Sequence, residues 1–175
     1  MGRLILLKIE KSIPNFDENG NLPFGIYDVD FNEFENKFSK GLSKRRKDIM
    51  EYYKKHLKEI LKCDYVLTHW IGGSFVTLEE NPNDIDTLTE LDGVQCDAND
   101  SRNTIQNFFD YAPLRTENYC HSFCIFKYPE ENEIEHELYL EAKSTYLCLI
   151  FAKDRLGNPK GLLQLNLQGG GLDEI

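Results

Sequence analysis

Two short segments of this chain hold residue types that could do chemistry together. The first is Trp70-Ile71-Gly72-Gly73-Ser74, and after nine intervening residues comes Asp84-Ile85-Asp86. Side chains two apart on a strand share a face, so Asp84 and Asp86 project together while Ile85 turns into the core. Neighbouring carboxylates repel each other, and a hard divalent cation relieves that repulsion. Mg²⁺ in phosphate chemistry is typically held by one or two carboxylates plus substrate oxygens. Glycines let a phosphate approach the backbone, and a short helix opened by Ser74 offers free N–H donors and positive partial charge. The layout suits phosphoryl or nucleotidyl transfer, with Gly72, Gly73 and Ser74 at the phosphates and Asp84 and Asp86 as ligands of Mg²⁺ (or Mn²⁺). The plainer reading of these residues is a glycine turn followed by two exposed aspartates.

Other clusters offer less. Cys120 and Cys124 flank His121, but no second Cys or His pair follows at zinc-site spacing, so they read as small buried hydrophobes. Glu135-His136-Glu137 lacks the second His of a zinc-protease helix. Asp17-Glu18-Asn19-Gly20 and Asp97-Ala98-Asn99-Asp100 lack the later ligands of a calcium loop and read as ordinary turn or loop.

The elements that must position the two segments can be read from periodicity and punctuation. Residues 3–9 form a candidate short strand, and residues 12–29 an extended, turning arm interrupted by Pro14, Gly20, Pro23 and Gly25. Asp30 and Glu33 mark a helix start, with Phe34 and Phe38 on one face until Gly41. Ser43 can cap a second, amphipathic helix over 44–62, with Ile49, Tyr53, Leu57 and Ile60 at helical spacing. Strands are expected over 65–71, 84–88, 119–128 and 162–167, and a polar loop over 92–100. Ser101 can cap a helix to about Tyr111. A further helix is expected over 133–153, although its apolar second half, 146–151, could also be a strand. Residues 168–175 read as a flexible glycine-rich tail. No repeat or linker interrupts the chain, so residues 1–175 are read as a single domain.

Composition narrows the classes. The chain has 175 residues, enough to bury a core, and its 41% hydrophobic content argues against disorder. No apolar run approaches the roughly 20 residues needed to span a bilayer. The odd cysteine number and the lack of a signal-peptide core suggest reduced thiols in a cytoplasmic protein. A net charge of −10 weighs against a sequence-blind grip on duplex DNA. The charge is segregated, however. Residues 37–62 carry ten basic and three acidic side chains, a net of +7, which leaves −17 for the rest. The outer face of the 44–62 helix is either solvated surface or a binding surface for phosphate or an acidic partner.

Ile71-Gly72-Gly73-Ser74 with Asp84-Ile85-Asp86-Thr87 resembles the signature of the DNA polymerase beta-like nucleotidyltransferase superfamily. The segments 16–23, 73–77, 82–86 and 154–161 together look like a small uncharacterised family of bacterial and phage nucleotidyltransferase-like proteins. The resemblance implies an α+β fold, a small mixed β-sheet with helices packed on one face like a polymerase beta palm. It implies that Gly73 and Ser74 contact nucleotide phosphates and that Asp84 and Asp86 bind the metal. The superfamily usually adds a third carboxylate on a following strand, here expected at 119–128. No Asp or Glu lies between Glu117 and Glu130, and His121 and Ser122 occupy that region. His121 is a candidate base, because imidazole titrates in the range such a role needs. Arg155 and Lys160 could reach a triphosphate or be plain turn residues.

The expectation is therefore a Mg²⁺-dependent enzyme that moves an NMP group from a nucleoside triphosphate to a hydroxyl on an RNA end, a protein or a small molecule. The rival is a nucleotidyltransferase-fold binding protein without the full carboxylate set, antitoxin-like or part of a defence or anti-defence system. A third possibility is an interaction module that docks an RNA, such as tRNA, or a protein through the basic helix.

Overall fold

A computed structural model describes residues 9–39, 41–110, 119–168 and 171–172. Among these, six strands form one sheet: β1 (Ile9–Glu10), β2 (Ile26–Val29), β3 (Val66–Gly72), β4 (Ile85–Asp92), β5 (Cys120–Lys127) and β6 (Leu162–Leu165). Their spatial order is β1-β2-β6-β3-β4-β5. β3 runs antiparallel to both neighbours, while β1/β2, β2/β6 and β4/β5 are parallel pairs. Five helices complete the set: α1 (Phe31–Phe38), α2 (Lys44–Ile60), α3 (Gly93–Ala98), α4 (Arg102–Asp110) and α5 (Glu133–Ser144).

Local chemistry places the first two helices. The Asp30 carboxylate accepts from the Glu33 N–H at 2.7 Å, and the Ser43 hydroxyl accepts from the Arg46 N–H at 3.3 Å. Each satisfies an orphan donor at a helix start. Phe31, Phe34 and Phe38 of α1 and Ile49, Met50, Tyr53 and Leu57 of α2 then bury against Ile71, Ile85, Leu163 and Leu165 of the sheet.

The opposite sheet face is also covered. Trp70, Leu88, Ile125 and Leu162 pack against Tyr139 of α5 and against Leu147 and Phe151 of the π-helical stretch Thr145–Phe151. The expectation of helices on one face is thus corrected. Successive residues such as Trp70 and Ile71 are both buried, so each face needs its own cover. A carboxylate lies within this second layer. Glu90 is buried and accepts from the Tyr139 hydroxyl at 2.7 Å and from Lys143 Nζ at 2.8 Å. Cys96, Phe109, Phe126 and Tyr128 close the end of the sheet beside β5.

Four further expectations change. The arm over 12–29 ends in β2, which pairs in parallel register with distant β6 (Ile26↔Leu162). The polar loop at 92–100 contains α3, capped by the Asp92 carboxylate on the Gln95 N–H at 3.0 Å. Gly93 opens that helix because a Cβ there would lie 2.5 Å from the Tyr128 ring. The strand alternative for 146–151 gives way to the π-helical stretch. In the expected tail, Leu172 packs on the α1/α2 core. Of the candidate strand 3–9, only Ile9 falls within the described residues; Glu117 falls outside them. No helix among the described residues is long and apolar enough to cross a membrane.

Candidate functional site

β3 delivers its glycines to the edge of a cleft. Gly72 pairs with Asp86 across β3/β4, and Asp86 pairs with His121 across β4/β5. Three residues far apart in sequence therefore stand side by side in one row. Gly73 has φ +74° and ψ −165°, a conformation open essentially to glycine alone. A Cβ there would meet Asp86 Oδ2 at 1.9 Å, so the carboxylate packs into the space the missing side chain leaves.

Ser74 then opens a single 3₁₀ turn, Ser74–Val76. The Thr77 hydroxyl closes it by donating to the Ser74 carbonyl at 2.7 Å, and Phe75 and Val76 bury beneath. The loop from Thr77 to Asn83 is anchored by α2. The buried Arg46 guanidinium donates to the carbonyls of Phe38 (3.0 Å), Phe75 (2.7 Å), Thr77 (2.7 Å) and Glu79 (3.0 Å). Arg45 donates to the carbonyls of Pro82 and Asn83, immediately before Asp84.

Gly73, Ser74, Asp84 and Asp86 line a cleft of about 800 Å³, a size suited to a small-molecule ligand. Its other walls come from the segments 19–21 and 149–160. These two walls are tied together where Asn21 Nδ2 donates to Asp154 Oδ2 at 3.0 Å. Asp154 also accepts from the N–H groups of Leu156 and Asn158 and from Asn158 Nδ2, forming a closed turn. These bonds, the Asn158 side chain foremost, hold its carboxyl down at about 2.

Lys160 is only 5% exposed, and its Nζ donates to the Gly73 carbonyl at 2.8 Å. It is a buried cation at the cleft and not an exposed turn residue. Burial draws its pKa below the ordinary lysine value, opposed by the negative charges of Asp86 and Asp154. Arg155 and Lys153 reach the same cleft.

Two expected site residues fall differently. Gly72 does not line the cleft. Its bare Cα seats the Phe151 ring, where a Cβ would lie 3.0 Å away. His121 stands behind Asp86, with Nδ1 3.3 Å from Asp86 Oδ1 and its ring 4.3 Å from that of Phe123. Among the described residues no three His, Cys, Asp or Glu side chains are grouped to hold a metal ion.

The basic helix lies across the sheet from this site. α2 packs with Ile85, whereas Asp84 and Asp86 alternate to the other face. Several of its charges are engaged within the chain: Arg45 and Arg46 on the loop, Lys54 with Glu35 at 2.7 Å, Lys44 with Asp48 at 2.6 Å, and Glu59 with Lys62 just past the helix at 2.7 Å.

Fold and site define a mixed α/β protein with a cleft at the mouth of its central β-hairpin, floored by two aspartates and a buried lysine. The chain belongs to the DUF6932 family, a family of unknown function whose match covers residues 14–166. No curated protein and no solved structure matches it.

Proposed function

We propose that this protein binds a nucleoside triphosphate with Mg²⁺ or Mn²⁺ in the cleft and transfers its nucleotidyl group to a hydroxyl acceptor. The observation that carries this reading is the contact of Gly73 with Asp86, in a cleft that also holds Ser74, Asp84 and Lys160. The donor set suits a hard cation, since it offers two carboxylates and no thiolate. Asp84 and Asp86 would hold the ion, with phosphate oxygens and water completing its coordination. Once bound, the ion supplies charge neutralisation between the carboxylates and the phosphates. The Ser74 hydroxyl and the N–H groups of its turn would grip phosphate oxygens, and Lys160 adds a fixed positive charge. His121, with Nδ1 3.3 Å from Asp86 Oδ1, would orient that carboxylate and take up the acceptor's proton by way of it. The order Gly-Ser turn, aspartate strand, then a parallel strand beside it agrees with a polymerase beta-like palm. The exposed Lys47 and Lys55 of α2 would offer a remote anchor for an RNA or acidic protein acceptor.

One observation favours a second reading. The residue in register with Asp86 on β5 is His121, where the superfamily pattern places a carboxylate. A nucleotide-binding protein without turnover, antitoxin-like or serving a defence system, would keep the cleft and lack that group.

Calorimetry with ATP, GTP, CTP and UTP, with and without Mg²⁺, tests both. Mg²⁺-dependent binding to the wild type and its loss in Asp84→Asn/Asp86→Asn is the expected result. Failure of every triphosphate to bind refutes the nucleotide reading. Pyrophosphate release on adding RNA or protein acceptors then separates the transferase from the binder.

A further inference from the structure

The cleft has a second chemical character. Its floor is charged, but its mouth carries large aliphatic side chains from three separate segments. These are Leu78 (62% exposed), Leu149 (62%), Ile150 (46%) and Leu156 (88%). Single exposed leucines are ordinary on protein surfaces; several converging on one concavity are not.

Each is held by ordered backbone. The Leu78 N–H donates to the Gly20 carbonyl at 2.8 Å, and a Cβ on Gly20 would lie 3.1 Å from the Leu78 Cβ. The Leu156 N–H donates to Asp154 Oδ1 at 2.9 Å, at the tip of the turn that Asp154 and Asn158 close. Leu149 and Ile150 sit in the π-helical stretch, whose Leu147 and Phe151 are buried in the core. π-helical turns are rare and concentrate at functional sites. Here the wider turn presents two consecutive aliphatic residues to the cleft while its ends stay anchored.

A cleft with cationic and metal-ligating groups below and aliphatic groups above fits an amphiphilic anion, polyphosphate at one end and a flat, weakly polar body at the other. We infer that Leu78, Leu149, Ile150 and Leu156 form the nucleobase subsite, holding the base between aliphatic faces while its triphosphate reaches Gly73, Ser74 and Lys160. This rests on the nucleotide reading above and adds which end of the ligand sits where.

The test compares each of the four nucleoside triphosphates with inorganic tripolyphosphate, all with Mg²⁺, on the wild type and on Leu78→Ser/Leu156→Ser. Both positions are exposed, and thermal unfolding checks that the variant keeps its fold. The Leu78→Met/Leu156→Met variant retains apolar surface and serves as the rescue. The expected result is a wild type that binds a nucleoside triphosphate more tightly than tripolyphosphate. The serine variant then loses about tenfold in nucleotide affinity, holds tripolyphosphate within about twofold, and is restored by methionine. A serine variant that binds nucleotide unchanged, or that weakens both ligands equally, overturns the inference and leaves the phosphate site standing. So does a wild type that binds both ligands equally. A wild type that binds neither overturns the nucleotide reading and this inference with it.

Discussion

Gly73→Ala isolates the feature on which the site turns. Alanine must adopt φ +74° and ψ −165°, which costs on the order of 1–3 kcal/mol in backbone strain. Its Cβ would also lie 1.9 Å from Asp86 Oδ2, so reaching an ordinary contact of 3.4 Å requires the carboxylate to retreat by about 1.5 Å. Gly41→Ala separates the two effects. Gly41 has φ +76°, and a methyl added there would meet nothing within 4 Å, so it carries the backbone cost alone, on the order of 1–2 kcal/mol. A chain of this size shifts its Tm by about 2–4 °C per kcal/mol. Gly41→Ala should lower Tm by about 2–8 °C, and Gly73→Ala by about 2–12 °C from the backbone alone, with the displaced carboxylate adding to the loss. The functional readout divides them more sharply. On the proposed reading Asp86 is a metal ligand, so displacing it should weaken Mg²⁺-dependent triphosphate binding by about 10–100-fold, the range seen when a ligand's support is removed. Gly41→Ala should leave that affinity unchanged. Calorimetry and thermal unfolding on both variants provide the assay. A Gly73→Ala protein that matches Gly41→Ala in both Tm and triphosphate affinity would refute the argument.

Two further outcomes follow from buried groups. Arg46→Lys should destabilise by about 2–4 kcal/mol and speed hydrogen exchange through the loop 77–83, because an ammonium cannot span the four carbonyls the guanidinium serves; wild-type exchange in that loop would contradict the anchoring role. Burial lowers the pKa of His56 to about 4 and that of His69 to about 3, with the His56 charge adding to the latter. In the unfolded chain both titrate near 6.5, so below that pH the unfolded state takes up protons the native state refuses. Stability should be level above pH 6.5 and fall as pH drops toward 4, by on the order of 2 kcal/mol per histidine at pH 5. Urea midpoints at pH 7.5 and 5.0 measure the loss, and His56→Phe, which keeps the stack on Phe108, should remove about half of it. Identical pH slopes in the two proteins would sink the assignment.

Some of the architecture was readable from local pattern. Asp30, Glu33 and Ser43 announced two helices through side-chain chemistry within a single turn, and the alternation around Ile85 put Asp84 and Asp86 on one face. Other elements were hidden for specific reasons. β2 is four residues long and follows Pro23 and Gly25, so nothing nearby reveals it; it exists because β6 supplies its partner. α3 shows a single apolar anchor, Cys96, too few for a period to register. The continuous apolar run Tyr146–Phe151 fits strand and helix equally until Gly72 offers Phe151 a seat. For Lys160 the sequence leaves open a triphosphate contact or a plain turn residue, and the burial of its side chain with the bond to the Gly73 carbonyl places it at the cleft.

The boundary between the two kinds of information is physical. Caps, turns and the two-residue strand period depend on neighbours within a few positions, and those interactions travel with the sequence wherever it folds. The row Gly72–Asp86–His121, the tie between two cleft walls at Asn21 and Asp154, and the seat of α2 on the far side of the sheet all depend on strand register and layer order. Those are settled by the burial of whole faces between segments scores of residues apart. The −10 of the full chain and the +7 of residues 37–62 were available from composition. That the +7 segment turns its arginines inward to brace the aspartate loop, on the sheet face opposite the aspartates, is a property of the packed molecule alone.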